Sequence, residues 1–335
     1  MLKRKVALAA SICITALLAG CSLDPLSGRL TTPPPDAATY QPVSPNADAA
    51  VSDTYNVTLY FGFQDSGMLS TQSREVELRP DERVEKRVLE ELISGPDAGY
   101  SYLTALMPTG VRVMDVEDRG GVLMVTLSGE FLSAPADAPD GWESDAYWSA
   151  EVPRRRLLAL QSIVCAMTDL GEYDSVQLLI DRDGDGERSG ERVPRYYFYA
   201  DAARSASVLM EAVRRDESVV LTPRNTVSKA LGFMQSKDWD ALYRLIAPVD
   251  MTGERPAQDA FMTDMRARAY TLTGFEVGDA MVSGDGSAAT VCVNAQFAFR
   301  DENAREVSAF PLRMVRDQEA WKLTYASLKG LLEGF

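Results

Sequence analysis

The chain has 335 residues, 46% of them hydrophobic, and a formal charge of −15. That length allows two domains. The composition suits globular cores, falls short of a multispanning membrane protein, and is too acidic to favour nucleic-acid phosphates or anionic head groups. Histidine is absent. This removes His-dependent triads and dyads, imidazole metal ligands and the commonest general base, leaving carboxylate or lysine chemistry as the routes to an enzyme.

Residues 1–20 divide as a secretory signal does. Lys3, Arg4 and Lys5 form a positive start, Val6 to Leu18 an apolar stretch too short to span a bilayer, and small residues follow. Leu18-Ala19-Gly20-Cys21 resembles the bacterial lipobox, in which the cysteine thiol receives diacylglycerol and becomes the new N-terminus. The expectation is a protein anchored by lipid on Cys21 to the extracytoplasmic face of the cell membrane. Loss of the signal takes the charge to −18, three positive residues fewer. Residues 21–54 hold Pro25, Pro33, Pro34, Pro35, Pro42 and Pro45 among Ser, Thr, Asp and Ala. Such a stretch cannot bury enough apolar surface to fold, and as a coil it reaches roughly 30 Å.

The first folded region is expected over 55–200. Val57, Leu59 and Phe61 alternate as in a half-buried strand, and Val76 and Leu78 mark a weaker second one. Pro80-Asp81 reads as the entry and cap of a helix with an apolar stripe at Val84, Val88, Leu89, Leu92 and Ile93, stopped by Gly95-Pro96. Strands over Val111–Val116 and Gly121–Leu127 flank the turn signal Asp118-Arg119-Gly120. An apolar helix is expected over Arg154–Leu170, then strands at Val176–Ile180 and Arg195–Tyr199 around a glycine-rich turn. Residues 201–220 read as a connecting helix, centred on Ser205–Asp216.

Several stretches in this region resemble the GerMN domain of spore-germination lipoproteins and other bacterial envelope proteins. They run in order as Thr58-Leu-Tyr-Phe61, Leu89-Glu-Glu-Leu-Ile-Ser-Gly-Pro96, Leu106-Met-Pro-Thr-Gly-Val111, Val122–Phe131, Leu160–Leu170 and Asp174–Asp181. The resemblance implies an α/β sandwich that acts in protein interaction, related to ring-building folds of envelope assemblies, and it brings no catalytic residues.

In residues 221–335, Val227, Ala230, Leu231 and Met234 share a helical face. Trp239, Leu242, Tyr243 and Ile246 form a second short helix, and Phe261 and Met265 suggest a third. The period then changes to two: Ala289, Val291, Val293, Ala295, Phe297 and Phe299 alternate without a break. Phe275–Val282 precedes this strand, and Val307–Arg316 and Ala320–Ala326 follow it. Helices followed by a curling antiparallel sheet resemble an NTF2-like cone. The expected fold class is therefore α+β: a GerMN-like α/β sandwich followed by an NTF2-like α+β cone.

Of the local sites, Asp181, Asp183 and Asp185 fall at positions 1, 3 and 5 of a calcium loop, with Gly186 at 6 and Glu187 able to add a carbonyl. Arg192 stands where the bidentate acid belongs and strands flank the loop, so a solvated Asp/Gly turn is the competing reading. Arg154-Arg155-Arg156 could meet an anionic partner or pair with local acids. Tyr243, Trp239, Phe297 and Trp321 could line a pocket in the cone or fill its core, and Asp240 could face inward as a base. Cys165 and Cys292 fall within apolar patterns and read as buried small hydrophobes. Together these features lead to the expectation of a non-enzymatic envelope lipoprotein in sporulation or germination. Its partners would be the membrane through its anchor, and envelope proteins or copies of itself, with no nucleic acid and no cofactor except calcium. The alternative is a lipoprotein that binds a small molecule or cell-wall fragment in the cone.

Overall fold

Alternating Val57, Leu59 and Phe61 extend the chain into β1 (Asp53–Phe63), which turns back into β2 (Leu69–Leu78) in register from Asp53 opposite Leu78 to Gly62 opposite Leu69. The computed structural model describes residues 53–182, 190–202, 204–299 and 304–333. The expected signal, Cys21 and all but the end of the tether lie outside them. Helix α1 (Val84–Ser94) buries Val88, Leu89 and Leu92 and ends at Gly95, whose φ of 87° suits a residue without a side chain. Its cap is Arg83 rather than the expected Asp81. The Arg83 guanidinium reaches both Glu85 and the Val116 carbonyl, which fixes the entry two residues later.

The short β3 (Leu103–Thr104) pairs with the other edge of β1. The hairpin of β4 (Val113–Asp118) and β5 (Val122–Ser128) forms where the Asp-Arg-Gly signal predicts it. Helix α2 (Trp148–Thr168) then carries the chain across to β6 (Ser175–Asp181), which runs parallel to β5, as a crossover allows. The helix begins six residues before the expected Arg154. The Asp145 carboxylate accepts the N–H groups of Tyr147 and Trp148 at 2.9 Å, so the start is capped and Pro153 lies inside. β7 (Glu191–Arg192) completes the order β4-β5-β6-β7 beside a sheet ordered β2-β1-β3. Both sheets and both helices close on one apolar core.

Two expectations fail here. Arg195–Tyr199 is not a strand: Arg195–Tyr197 make a tight 3₁₀ turn, with Phe198 buried and the two preceding tyrosines stacked outside. Strict alternation could not place them so. Residues 205–216 are not a helix either. They turn at Ala206–Ser207 and then run along the sheet edge, with Met210 donating to the Val193 carbonyl at 2.8 Å and Val213 exchanging bonds of 2.7 and 2.9 Å with Val176. The free edge beside β6 needs partners for its backbone groups, and that demand outweighs a weak helical propensity.

The second lobe opens with α3 (Pro223–Ser236), capped by the Thr222 hydroxyl with Pro223 in the first turn. Asp238 caps α4 (Trp239–Arg244), and the small hairpin β8 (Val249–Asp250) and β9 (Gly253–Glu254) leads to α5 (Gln258–Ala267). Four antiparallel strands follow in sequence order: β10 (Tyr270–Val282), β11 (Ala288–Phe299), β12 (Ala304–Asp317) and β13 (Ala320–Leu323). Register shifts at Leu272/Gly274, Val277/Ala280 and Val293/Ala295 bend them into a half-barrel. Gly278 sits in one of these, where a β-carbon would lie 3.1 Å from the Cys292 carbonyl oxygen. Ala289, Val291, Val293, Ala295 and Phe297 are all buried on the inner face of β11, as their alternation predicts. The last strand is shorter than expected: it ends at Leu323, and α6 (Tyr325–Glu333) buries Leu328, Leu331 and Leu332. That spacing is helical, and Thr324 accepts from Ser327 at the turn. The fold class is α+β, with a GerMN-like sandwich followed by the helices-then-sheet order of an NTF2-like cone.

Phe63 and Met68, at the tip of the β1–β2 hairpin, belong to the second lobe's apolar cluster although their strands belong to the first. Phe63→Ala is expected to cost about 3–5 kcal/mol and to lower the melting temperature of the whole described body. Calorimetry that showed only one lobe melting earlier would argue against this shared core.

Candidate functional site

The junction of the lobes holds a buried cation. On β13, Lys322 has no exposed surface; its Nζ sits 2.9 Å from the centre of the Tyr102 ring and 3.4 Å from Asp317 Oδ2. Its neighbour on the other side is the Phe63 ring at 5.9 Å. Beyond Asp317 the β12–β13 turn places Gln318 and Glu319 at φ of 47° and 63°, a left-handed pair unusual for residues other than glycine. Glu319 accepts from the Ser73 N–H at 2.8 Å and the Tyr100 hydroxyl at 3.2 Å, while Gln318 accepts from the Ser101 N–H at 3.2 Å. Leu221 N–H donates to the Leu69 carbonyl at 2.8 Å where the chain enters the second lobe. These bonds hold the lobes in one orientation.

Beside the junction a cleft of about 170 Å³ opens between the hairpin tip, with Gln64, Asp65 and Ser66, and the α3–α4 corner, with Phe233, Asp240 and Arg244. Asp240 lies here on the surface, accepting from Gln258 Nε2 at 2.7 Å. It does not face the interior of the cone, because α4 turns Leu242 inward instead. Around Trp239 and Phe297 the cone leaves about 10 Å³, close to the least that one water needs. Phe297 packs edge-on to Tyr270 at 5.4 Å, and Tyr243 packs against Phe261 at 5.3 Å with its hydroxyl on the Pro256 carbonyl. These aromatic residues fill the cone. Trp321 stays half-buried with Arg316 over its ring at 5.9 Å.

The arginine triplet divides. Arg154 and Arg155 pair with Glu151 at 2.7 Å, and Arg155 also with Asp137 at 2.8 Å. Arg156 is buried, with the Trp142 and Tyr197 rings each 5.4 Å from its guanidinium carbon. The periodicity that marked this helix as apolar gave no sign that the third arginine turns inward.

Of the four residues expected to bind calcium, only Asp181 is described; it is buried at the end of β6. Asp183, Asp185 and Glu187 lie outside the described residues. Among those described, no group of three or more Cys, Asp or Glu side chains is placed to hold a metal. Cys165 is fully buried, and desolvation pushes its thiol up to about 12, so it stays a protonated core side chain. Cys292 lies in the other lobe, half-buried and free. Among the described residues no helix is long and apolar enough to cross a membrane.

Burial holds the Lys322 ammonium at about 8, below its usual 10.5, although Asp317 opposes the shift. Between those values the unfolded chain binds the proton that the folded chain has lost, so stability rises with pH across that window; below it the penalty is complete. The stability difference between wild type and Lys322→Met is expected to shift in favour of the wild type by up to about 3 kcal/mol from pH 7 to pH 10. Denaturant melts at both pH values would measure it. A difference that did not vary with pH would place the ammonium in water.

The profile of the Germane family, described as "Sporulation and spore germination", matches residues 58–184. Among solved structures, the first GerMN domain of the sporulation protein GerM from Bacillus subtilis is 20% identical, covering 41% of this chain and 92% of that one with a TM-score of 0.28. A Clostridium perfringens protein described as a lipoprotein is 18% identical over 38% of this chain and 75% of that one, TM-score 0.24. An NTF2-like protein from Rhodospirillum rubrum is 25% identical over 29% of this chain and 88% of that one, TM-score 0.21. No curated protein matches the chain. The similarity to the Germane family thus covers residues 58–184, less than half of this chain.

Proposed function

We propose that the chain is a non-enzymatic, lipid-anchored envelope protein. Its Germane domain and cone act as one assembly module in sporulation or spore germination, on the extracytoplasmic face of the membrane. The observation that carries this reading is the Germane match over residues 58–184, in a domain joined to the cone through a shared apolar core. Two domains held in one orientation present their outer surfaces at a fixed separation, as an assembly part needs and a lone ligand-binding cup does not. The filled cone weighs against the alternative of a ligand held there. Lipid on Cys21 supplies the anchor, at about 0.8 kcal/mol per buried CH₂.

Cys21→Ala is expected to move the protein from the membrane pellet to the soluble fraction. Retention in the pellet after a salt wash would remove the anchor. Crosslinking the native protein in intact cells is expected to yield ladders of itself or one recurrent envelope partner. A clean monomer at every growth stage would overturn the assembly reading.

A further inference from the structure

Arg156 is a cation with an unusual lack of acids. It is 7% exposed, no carboxylate lies within 4.0 Å of it among the described residues, its Nη2 donates to the Leu132 carbonyl, and its buried Nε has no acceptor. Its charge is spread over the Trp142 and Tyr197 rings, an arrangement that a planar, weakly hydrated guanidinium tolerates. Outward from it, Tyr197 stacks on Tyr196 with ring centres 4.7 Å apart, and both rings are half-buried. Exposed Arg182 sits 5.9 Å from the Tyr197 ring, and exposed Arg204 donates to the backbone carbonyl of Glu143. Among the described residues the acids near these arginines include Glu143 and Glu191; Asp183, Asp185 and Glu187, which follow Arg182 in sequence, lie outside them. Glu191 is 4.0 Å from Arg182 with a side chain 76% exposed, too open to neutralise it. The two stacked phenols shift in opposite directions: Tyr196 is raised, chiefly by its hydrogen bond with Tyr197. Burial raises Tyr197, yet hydrogen bonds from Tyr196 and Arg182, with the charges of Arg182 and Arg156, bring it net below its ordinary value.

Three arginines gathered around stacked tyrosines on a chain of −15 call for an explanation in terms of what they meet. We propose that the face formed by Tyr196, Tyr197, Arg156, Arg182 and Arg204 docks an acidic, aromatic-bearing polypeptide segment of a partner protein. Guanidinium planes match carboxylates in geometry and charge, and tyrosine, tryptophan and arginine are the side chains on which interfaces concentrate their energy. The half-exposed rings favour a polypeptide over a phosphate polymer, which would engage the arginines and leave the rings wet. The inference rests on the assembly reading and names the face and the partner's chemistry.

The test uses the full-length lipoprotein in detergent micelles. The probe is a random Glu–Tyr copolymer, with inorganic polyphosphate and a Lys–Tyr copolymer as the other arms. Quenching of the Trp142 and Trp148 fluorescence reports binding. The Glu–Tyr copolymer is expected to bind, more weakly as salt rises. The double variant Arg182→Glu/Arg204→Glu and the single variant Tyr196→Ala should each weaken it roughly tenfold. Arg119→Glu, on the exposed β4–β5 turn, adds like charge at another place and should weaken it little. No binding, equal loss in Arg119→Glu, or preference for polyphosphate would overturn the proposal. The double variant, crosslinked in cells, separates the two readings. If the wild type captures a partner and the variant still does, this face is wrong and the assembly reading stands; if the wild type captures nothing, the assembly reading itself fails.

Discussion

The tip of one hairpin is shared between two cores, and the rest of the molecule is arranged around that fact. Phe63 and Met68 leave the sheet they belong to and fill the second lobe. Neither lobe can then shift against the other without opening apolar surface, at about 25 cal/mol for each Å² exposed. The β12–β13 turn completes the lock from the other side. Two residues in left-handed backbone conformations cost of order 1 kcal/mol each. They persist because their side chains satisfy the N–H groups of Ser73 and Ser101 across the junction. The strain and the docking are therefore one feature.

Two buried cations show how differently the molecule uses charge. Lys322 is placed over Tyr102 with Asp317 beside it, a compact ammonium that gives up part of its basicity to stay inside. Arg156 cannot shed its proton at any working pH and has no carboxylate within 4.0 Å among the described residues, so its charge lies against the rings that cover it. Its two neighbours in sequence are neutralised by Glu151 within the same helix. Three arginines in a row thus divide two and one, decided by the roughly 100° of helix rotation between successive side chains.

Much of the architecture could be read from period and punctuation. The unbroken alternation in β11, the stripe of α1 and the turn between β4 and β5 each produced the element expected of them. Segments whose local signal was weak went differently. Residues 209–213 run along the sheet because an open edge is a stronger claim on backbone hydrogen bonds than a modest propensity. Residues 195–199 turn because Phe198 must go in while Tyr196 and Tyr197 stay out. Helix α6 takes the last two residues of the strand expected over 320–326, because Leu328, Leu331 and Leu332 beyond it have helical spacing. Asp240 could be named from sequence, but not the direction in which α4 would turn it.

Sequence by itself determined the features that local chemistry controls: the acidic charge, the absence of imidazole, the strands and helices with strong periods, and the stretches that match the Germane family in their order. Each depends on residues adjacent or a fixed few positions apart, and so survives being read along one dimension. Only the tertiary structure decided that a hairpin of one lobe completes the core of the other, that the cone is filled, and that Arg156 and Lys322 are buried on rings far away in sequence. Those outcomes depend on which surfaces can exclude water together, and that choice is made among all the elements at once.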